Sequence, residues 1–282
     1  MKYVFFGTPH FAAIVLSGLL DAGMPPAAVV CNPDRPVGRK HVITPPPVKL
    51  VAIASSPEID IIQPETLDAL FVKRLRELEP DFFVVAAYAK IIPQEVLDVP
   101  KLGTLGVHPS LLPKYRGASP IQSAILAGEM TTGVSIYMMD AKMDHGPVLA
   151  KESLIVGEHE TYAELESRLP SLAGSLLART IPPFMDGSAI PQEQDHDTAT
   201  FTKKFSTQDG FVDDAELAAA ERGEATTAGA QAIYRKILAL NPEPGAWTTR
   251  NGKRMKLLKA ALEDNKLKLT SVQEEGQKPK SV

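Results

Sequence analysis

The chain has 282 residues, of which 44% are hydrophobic and 23% charged, a composition typical of a folded globular protein with one large and one smaller domain. The net charge of −4 argues against a protein that coats nucleic acid non-specifically, and the single cysteine excludes an intrachain disulfide and a C-x-x-C metal site. No apolar run approaches the roughly 18 residues of a membrane span, so we expect a cytoplasmic location.

The first half of the chain alternates short apolar strands with helical segments. Tyr3–Phe6 predicts a buried strand, and Thr8 before Pro9 predicts a helix start capped by the threonine hydroxyl. Further strands are predicted at 27–31, 81–87 and 104–108, and a helix at 67–78. This alternation indicates a Rossmann-like α/β domain with a mostly parallel sheet. The first turn lacks the G-x-G-x-x-G pattern, so we expect no dinucleotide there.

The second half continues this pattern and then changes. A short helix is predicted at 119–126, a strand pair at 133–139 and 148–155, and a helix after the Thr161-x-x-Glu164 capping box. The pattern fades between Gly187 and Ser206, and two helices, the first around 214–222, and three strands follow. We therefore predict a first domain over 1–190, a linker over 191–206 and a second domain over 207–282.

Two side chains suited to proton transfer lie where an α/β sheet binds its ligands. His108 ends a predicted strand, and Pro109 cannot extend a central strand, so the imidazole is expected at the carboxyl end of the sheet. Gly106 shares the face of His108 because side chains alternate along a strand. Asp144 lies on a loop that can reach the same edge. Acyl transfer needs an oxyanion donor and a proton acceptor, which these groups supply; taken singly, each is more often structural.

The motifs around these residues resemble those of the folate-dependent formyltransferases. The matching stretches are His108-x-Ser110-Leu111-Leu112-Pro113, Tyr115-Arg116-Gly117, Gly133-Val134 and Asp144-x-Gly146. The PDRPxGR loop within Asn32–Lys49 and the segment Ile233–Trp247 are similar to members that act on methionyl-tRNA. The resemblance implies a formyltransferase catalytic domain over 1–190 and an OB-like C-terminal domain over 207–282. We expect an abbreviated barrel, since only about 35 residues follow Trp247.

The resemblance implies that the amine of methionine on initiator tRNA attacks the formyl carbon of 10-formyltetrahydrofolate. The family uses Asn, His and Asp; His108 and Asp144 match, and Gly106 stands at the position of the Asn. We assign His108 to the oxyanion and Asp144 to holding the imidazole and relaying the proton. Losing one oxyanion donor costs on the order of 3 kcal/mol. We expect a water to fill the space at Gly106 and to donate instead.

The resemblance also implies the binding residues, without any metal. Folate contacts are expected from Tyr88, Ala89, Lys90, Ile91, Ile92, Ser110, Leu111, Leu112, Pro113 and Asp140. Phosphates of tRNA are expected at Arg35, Arg39 and Lys40 in a proline-stiffened loop, for which a solvated surface loop is the alternative. Residues 250–282 hold nine Lys and Arg against four Asp and Glu, an excess that can also attract tRNA.

Two other functions stay open on the sequence. The short tail favours a sugar-amine N-formyltransferase, whereas the PDRPxGR loop disfavours it. Gly106 favours a folate- or tRNA-binding protein with impaired catalysis. Trp247 has two interpretations as well, a core residue or a platform on which a base stacks.

Overall fold

The computed structural model describes residues 1–38 and 41–282. The chain forms two compact units, the first made of Met1–Arg116, Gly133–Leu154 and Ser167–Phe201 and the second of Gly117–Thr132, Ile155–Glu166 and Thr202–Val282. Residues 191–201 of the predicted linker belong to the first unit. The domain boundaries at 190 and 207 stay predictions.

The predicted strands and helices occur in the predicted order, and the described residues form further short strands and helices that were not predicted. The strands are β1 (Tyr3–Gly7), β2 (Ala28–Val30), β3 (Arg35–Val37), β4 (Val42–Thr44), β5 (Asp60–Ile62), β6 (Phe82–Ala86), β7 (Thr104–His108), β8 (Arg116–Gly117), β9 (Thr131–Met138), β10 (Val148–Ile155), β11 (Phe201–Thr202), β12 (Trp247–Arg250), β13 (Lys253–Glu263), β14 (Lys266–Glu274) and β15 (Lys280–Ser281). The helices are α1 (His10–Asp21), α2 (Pro47–Ser55), α3 (Ala69–Glu77), α4 (Gln94–Leu97), α5 (Pro120–Ala127), α6 (Tyr162–Met185), α7 (Asp214–Arg222) and α8 (Thr227–Leu240).

A seven-stranded sheet in the order β10-β9-β7-β6-β1-β2-β5 forms the centre of the first unit. Strands β7, β6, β1, β2 and β5 run parallel, and β9 runs antiparallel to β7. The residues of β1 are fully buried, which explains their continuous apolar run. The predicted mostly parallel α/β sheet is confirmed.

The entry into α1 differs from the prediction. Pro9 occupies the N-cap position, and no side chain caps the helix. The predicted Thr8 cap is wrong because the helix begins one residue later than a threonine cap requires. The Thr8 hydroxyl instead donates to the backbone oxygen of Tyr88 at 3.4 Å and accepts from the backbone nitrogen of Asn32 at 3.3 Å. Thr8 thereby links the loops after β2 and β6.

The predicted capping box starts α6. The Thr161 backbone nitrogen donates to Glu164 Oε2 at 2.8 Å, and the Glu164 nitrogen donates to Thr161 Oγ1 at 3.3 Å.

Further along α6, Gly174 lies so close to Gly18 of α1 that a Cβ on Gly174 would be 3.2 Å from the Gly18 Cα. Two glycines therefore let α1 and α6 cross in close contact.

The second unit contains a small antiparallel sheet in the order β12-β13-β14-β15. Its buried side chains include Leu257, Leu267 and Leu269, and α8 supplies a buried apolar face through residues such as Ile233 and Ile237. The four described strands agree with the small C-terminal β domain that we expected, which is confirmed.

Trp247 packs within the second unit. Its indole nitrogen donates to the backbone oxygen of Thr207 at 2.8 Å, and the Arg254 guanidinium lies 4.2 Å from the ring centroid. Phe211 contacts the ring as well, with centroids 4.8 Å apart. Because these neighbours cover the indole, the structure favours a packing role over base stacking.

Candidate active site

His108 ends β7 at the carboxyl edge of the parallel sheet. Its side chain is buried, and Nε2 lies 2.8 Å from the backbone oxygen of Tyr115. Since a carbonyl oxygen only accepts, Nε2 must carry the proton of this hydrogen bond. The second ring nitrogen, Nδ1, faces Asp144.

Asp144 lies on the loop between β9 and β10. Its Oδ2 is 3.7 Å from His108 Nδ1, and both side chains are largely buried. This distance is too long for a hydrogen bond but suits an ion pair once the imidazole is protonated. The structure thus brings the two predicted catalytic groups together at one sheet edge.

Tyr137 is a site residue that we did not anticipate from the sequence. Gly106 of β7 is the antiparallel partner of Tyr137 in β9, so both positions face the same side of the sheet. A Cβ built on Gly106 would lie 2.4 Å from Tyr137 Cε1 and 2.5 Å from Cζ. The expectation of a water beside Gly106 is wrong, because the tyrosine ring occupies that space. The signal was the glycine itself, which leaves room for a large cross-strand partner.

The Tyr137 hydroxyl connects this ring to the acidic group. It donates to Asp144 Oδ1 at 2.7 Å. Burial raises the pKa of the Tyr137 phenol well above its usual value of about 10, and the negative charge of Asp144 raises this pKa further. The phenol is therefore protonated at neutral pH and acts as a donor.

A buried amide from the predicted linker fixes the loop that carries Asp144. Gln194 Nε2 donates to the backbone oxygens of Asp144 at 3.0 Å and Gly146 at 2.7 Å. Gln194 Oε1 accepts from Arg116 Nε at 3.1 Å and from Arg116 Nη2 at 2.7 Å. The polar composition of 191–206 indicated a linker, so sequence reasoning missed this residue.

Three of the predicted folate residues direct their side chains into the protein. Tyr88 is 2% exposed, with its ring packed edge-on against Phe6 at a centroid distance of 5.4 Å. Ser110 is fully buried and donates to the Lys114 backbone oxygen at 2.6 Å, and Leu112 is 1% exposed. Backbone groups of these residues are bonded within the protein as well: the Tyr88 oxygen accepts from Thr8, the Leu112 nitrogen donates to Ser135 Oγ, and the Ser110 oxygen accepts from the same hydroxyl.

The other predicted folate residues vary in their surroundings. Lys90 Nζ donates to the backbone oxygens of Pro64 at 2.8 Å and Glu65 at 3.0 Å, which fastens the loop after β6. Ile91 is 95% exposed, whereas Ile92 packs against the core. Ala89 is exposed, and Leu111 and Pro113 are half-buried. Asp140 Oδ2 accepts a hydrogen bond from His145 Nδ1 at 2.7 Å.

Left-handed backbone conformations gather in the segments that border the site. Four residues other than glycine have positive φ there, namely Ala87 at 49°, Ala89 at 65°, Tyr115 at 59° and Asp144 at 50°. Such conformations cost energy and persist where surrounding structure imposes them, often at ligand sites. The loops after β6, β7 and β9 are therefore held in defined shapes around His108.

Only part of the predicted tRNA loop is described. Strands β3 and β4 pair antiparallel, and Arg35 forms an exposed ion pair with Glu65. Surface pairs of this kind exchange readily with other anions because water screens them. Arg39 and Lys40 lie outside the described residues.

Residues 1–38 and 41–282 contain neither a metal-binding cluster nor a membrane-spanning helix. No group of three or more His, Cys, Asp or Glu side chains there could hold a metal ion. No helix in the same ranges combines the length and the apolar character needed to cross a membrane.

Family models match most of the chain. The model described as formyl transferase matches residues 1–181, and the model described as formyl transferase, C-terminal domain, matches residues 226–280. The methionyl-tRNA formyltransferase of Chloroflexus aurantiacus is 40% identical over 263 residues, covering 93% of this chain and 80% of that protein. The methionyl-tRNA formyltransferase of Halalkalibacterium halodurans is 41% identical over 258 residues, covering 91% and 77%.

Solved structures share the fold. A methionyl-tRNA formyltransferase from Clostridium thermocellum gives a TM-score of 0.60 at 20% identity and covers 97% of this chain and 98% of that chain. An N-formyltransferase from Helicobacter canadensis, solved with folinic acid and dTDP-3-aminofucose, gives 0.66 at 18% identity, covering 93% and 88%. The family resemblance in the motifs around His108 is confirmed, and this chain belongs to the formyl transferase family.

Proposed function

We propose that this chain transfers the formyl group of 10-formyltetrahydrofolate to the α-amine of methionyl-initiator tRNA. The observation that carries the proposal is the buried pair of His108 Nδ1 and Asp144 Oδ2, 3.7 Å apart at the carboxyl edge of the sheet. The 40% identity to methionyl-tRNA formyltransferases supports this acceptor over an amino sugar.

The loops beside His108 suit a flat, polar folate. Segments 87–93 and 110–113 follow β6 and β7, which are neighbours in the sheet, and 140–144 follows β9. Tyr88, Ser110 and Leu112 keep these loops in place from the interior, and we assign the contacts with the pterin to the residues of these three segments. When bound, the folate supplies an activated formyl carbon and a nitrogen that leaves.

Asp144 and His108 transfer the proton of the amine and stabilise the charge that develops during the reaction. An attacking amine must lose a proton, and we assign its acceptance to the Asp144 carboxylate. A proton that moves on to His108 Nδ1 creates an imidazolium, which the Asp144 charge stabilises at 3.7 Å. The imidazolium in turn stabilises the oxyanion that forms at the formyl carbon. When the bond between that carbon and the folate nitrogen breaks, the proton passes to the leaving nitrogen, so that Asp144 and His108 regain their starting protonation states.

Formyl transfer tests the proposal directly. The purified protein is incubated with 10-formyltetrahydrofolate and either methionyl-tRNA or an amino-sugar nucleotide, and the formylated product is quantified. We expect formylmethionyl-tRNA, and we expect His108→Ala to lower kcat by about 10²- to 10⁴-fold. His159→Ala, in the second unit, is the control for loss of a histidine elsewhere.

Each other outcome contradicts the proposal in a distinct way. Transfer to the sugar alone would identify a sugar-amine formyltransferase. Binding of folate without any transfer would identify a binding protein. A wild type no faster than His108→Ala would remove the assigned role of the histidine.

A further inference from the structure

We propose that Tyr137 positions the acidic group of this active site, and that Gly106 and Tyr137 form a single unit that replaces an asparagine at position 106. The glycine makes room for the ring, and the phenol hydroxyl orients Asp144 toward His108. This inference rests on the proposed function, because it concerns the same reactive pair.

The first observation is that Gly106 and Tyr137 share one space. They are cross-strand partners, and the ring carbons Cε1 and Cζ lie within 2.5 Å of where a Cβ on Gly106 would be. Met139 closes the same space, with Cγ 2.9 Å from that point. No side chain at position 106 fits while the ring stays in place, since contacts below 3 Å require atoms to move.

The second observation is the direction of the hydrogen bond. Tyr137 donates to Asp144 Oδ1 at 2.7 Å, and the other carboxylate oxygen, Oδ2, faces His108 Nδ1. Fixing one oxygen of a planar carboxylate also fixes the other. The phenol therefore sets which carboxylate oxygen meets the imidazole.

The ring itself is firmly anchored. Tyr137 is 4% exposed and packs with Leu112, Val148 and Met139 in a small apolar cluster. The loop that carries Asp144 is held in turn by Gln194, which donates to the backbone oxygens of Asp144 and Gly146. Because both partners are constrained, their hydrogen bond has a defined geometry before any substrate binds.

Removing only the hydroxyl tests the positioning role. Tyr137→Phe keeps the ring, so the fold and the KM for both substrates should stay near wild type. We expect kcat to fall about 10- to 100-fold, the loss of a hydrogen bond to a charged group. The matched control is Tyr162→Phe, because Tyr162 also donates to a carboxylate, Glu166 Oε1 at 2.6 Å, outside the site.

Substituting both residues together tests whether Gly106 and Tyr137 act as one unit. Gly106→Asn alone should be nearly inactive, because the new side chain meets the tyrosine ring. Gly106→Asn combined with Tyr137→Ala frees the space, and its kcat should exceed that of Gly106→Asn at least tenfold. A double variant no faster than Gly106→Asn would show that the two side chains do not act as one unit.

Thermal unfolding reports on the shared space without any catalysis. Gly106→Asn should lower Tm by about 5 °C in the presence of Tyr137 and by clearly less in the Tyr137→Ala background. Additive shifts would overturn the shared-space part of the inference. A Tyr137→Phe variant with wild-type kcat would overturn the positioning part.

These outcomes separate the inference from the proposed function. If the wild type formylates no methionyl-tRNA, the proposed function fails, and with it the positioning role. The unfolding measurements would still decide whether Gly106 and Tyr137 share one space. If the wild type is active, two comparisons decide the inference. They are the kcat of Tyr137→Phe against wild type and the kcat of the double variant against Gly106→Asn.

Discussion

At the scale of single residues, one buried side-chain amide links two segments that border the candidate site. Gln194 accepts two hydrogen bonds from the buried Arg116 guanidinium and donates two to backbone oxygens of the loop that carries Asp144. An amide is the side chain that can do both at once, since it holds an acceptor and two donors. Gln194 therefore joins Arg116 to residues 144–146.

We predict that Gln194→Met destabilises the protein by about 3 kcal/mol, because an isosteric apolar side chain leaves buried polar groups unpaired. We also expect kcat to fall about tenfold, since Asp144 loses the support of its loop. Chemical denaturation and formylation rates measure the two effects. Gln192→Met is the matched control, because Gln192 lies two residues away and is exposed; equal losses in both variants would contradict the role of Gln194.

The candidate site was only partly predictable at this scale. The location of His108 and Asp144 at the sheet edge follows from their positions after strands, and their catalytic assignment follows from the family resemblance. Tyr137 and Gln194 did not follow, because a tyrosine inside an apolar strand and a glutamine in a polar segment carry no local pattern. Only the β7 to β9 register and the path of 191–201 bring them to Asp144.

At the scale of elements, local pattern predicted two strands and one helix to the residue. The strand at 104–108, the strand at 148–155 and the helix at 214–222 have the predicted bounds. Each carries strong signals, such as alternation or a cap followed by apolar spacing. The Thr8 cap failed because the hydroxyl finds partners on two loops that are distant in sequence.

Close packing of α1 on α6 is a tertiary feature that can be tested. We predict that Gly174→Val lowers the free energy of unfolding by about 2 kcal/mol, because the added side chain meets the backbone of α1 around Gly18. Denaturant titration measures the change. Ser175→Val, at the next and exposed position of α6, controls for helix propensity; a similar loss there would show that the crossing is not responsible.

At the scale of the whole molecule, an acidic chain carries a basic C-terminal sheet. Lys256, Lys266 and Lys268 are exposed, whereas their neighbours Leu257, Leu267 and Leu269 are buried. The alternation therefore gathers positive charge on one face of β13 and β14. Such a face suits contact with phosphates through long-range attraction.

We predict that replacing both Lys256 and Lys268 with Ala weakens binding of methionyl-tRNA and lowers the slope of log affinity against log salt by about two. A filter-binding or fluorescence titration over a salt series measures both quantities. Lys73→Ala, on the exposed face of α3, is the control for loss of a surface lysine. An unchanged slope in the double variant would exclude this face from the tRNA contact.

The amino-acid sequence was sufficient to predict the α/β class, the family and the two groups that meet at the sheet edge. These features depend on local periodicity and on motifs that are contiguous in the chain. The tertiary structure alone decided what stands beside Gly106, what fixes the Asp144 loop and how closely α1 and α6 cross. These depend on strand register and on packing between segments far apart in sequence, and a pattern of neighbouring residues carries no information about either.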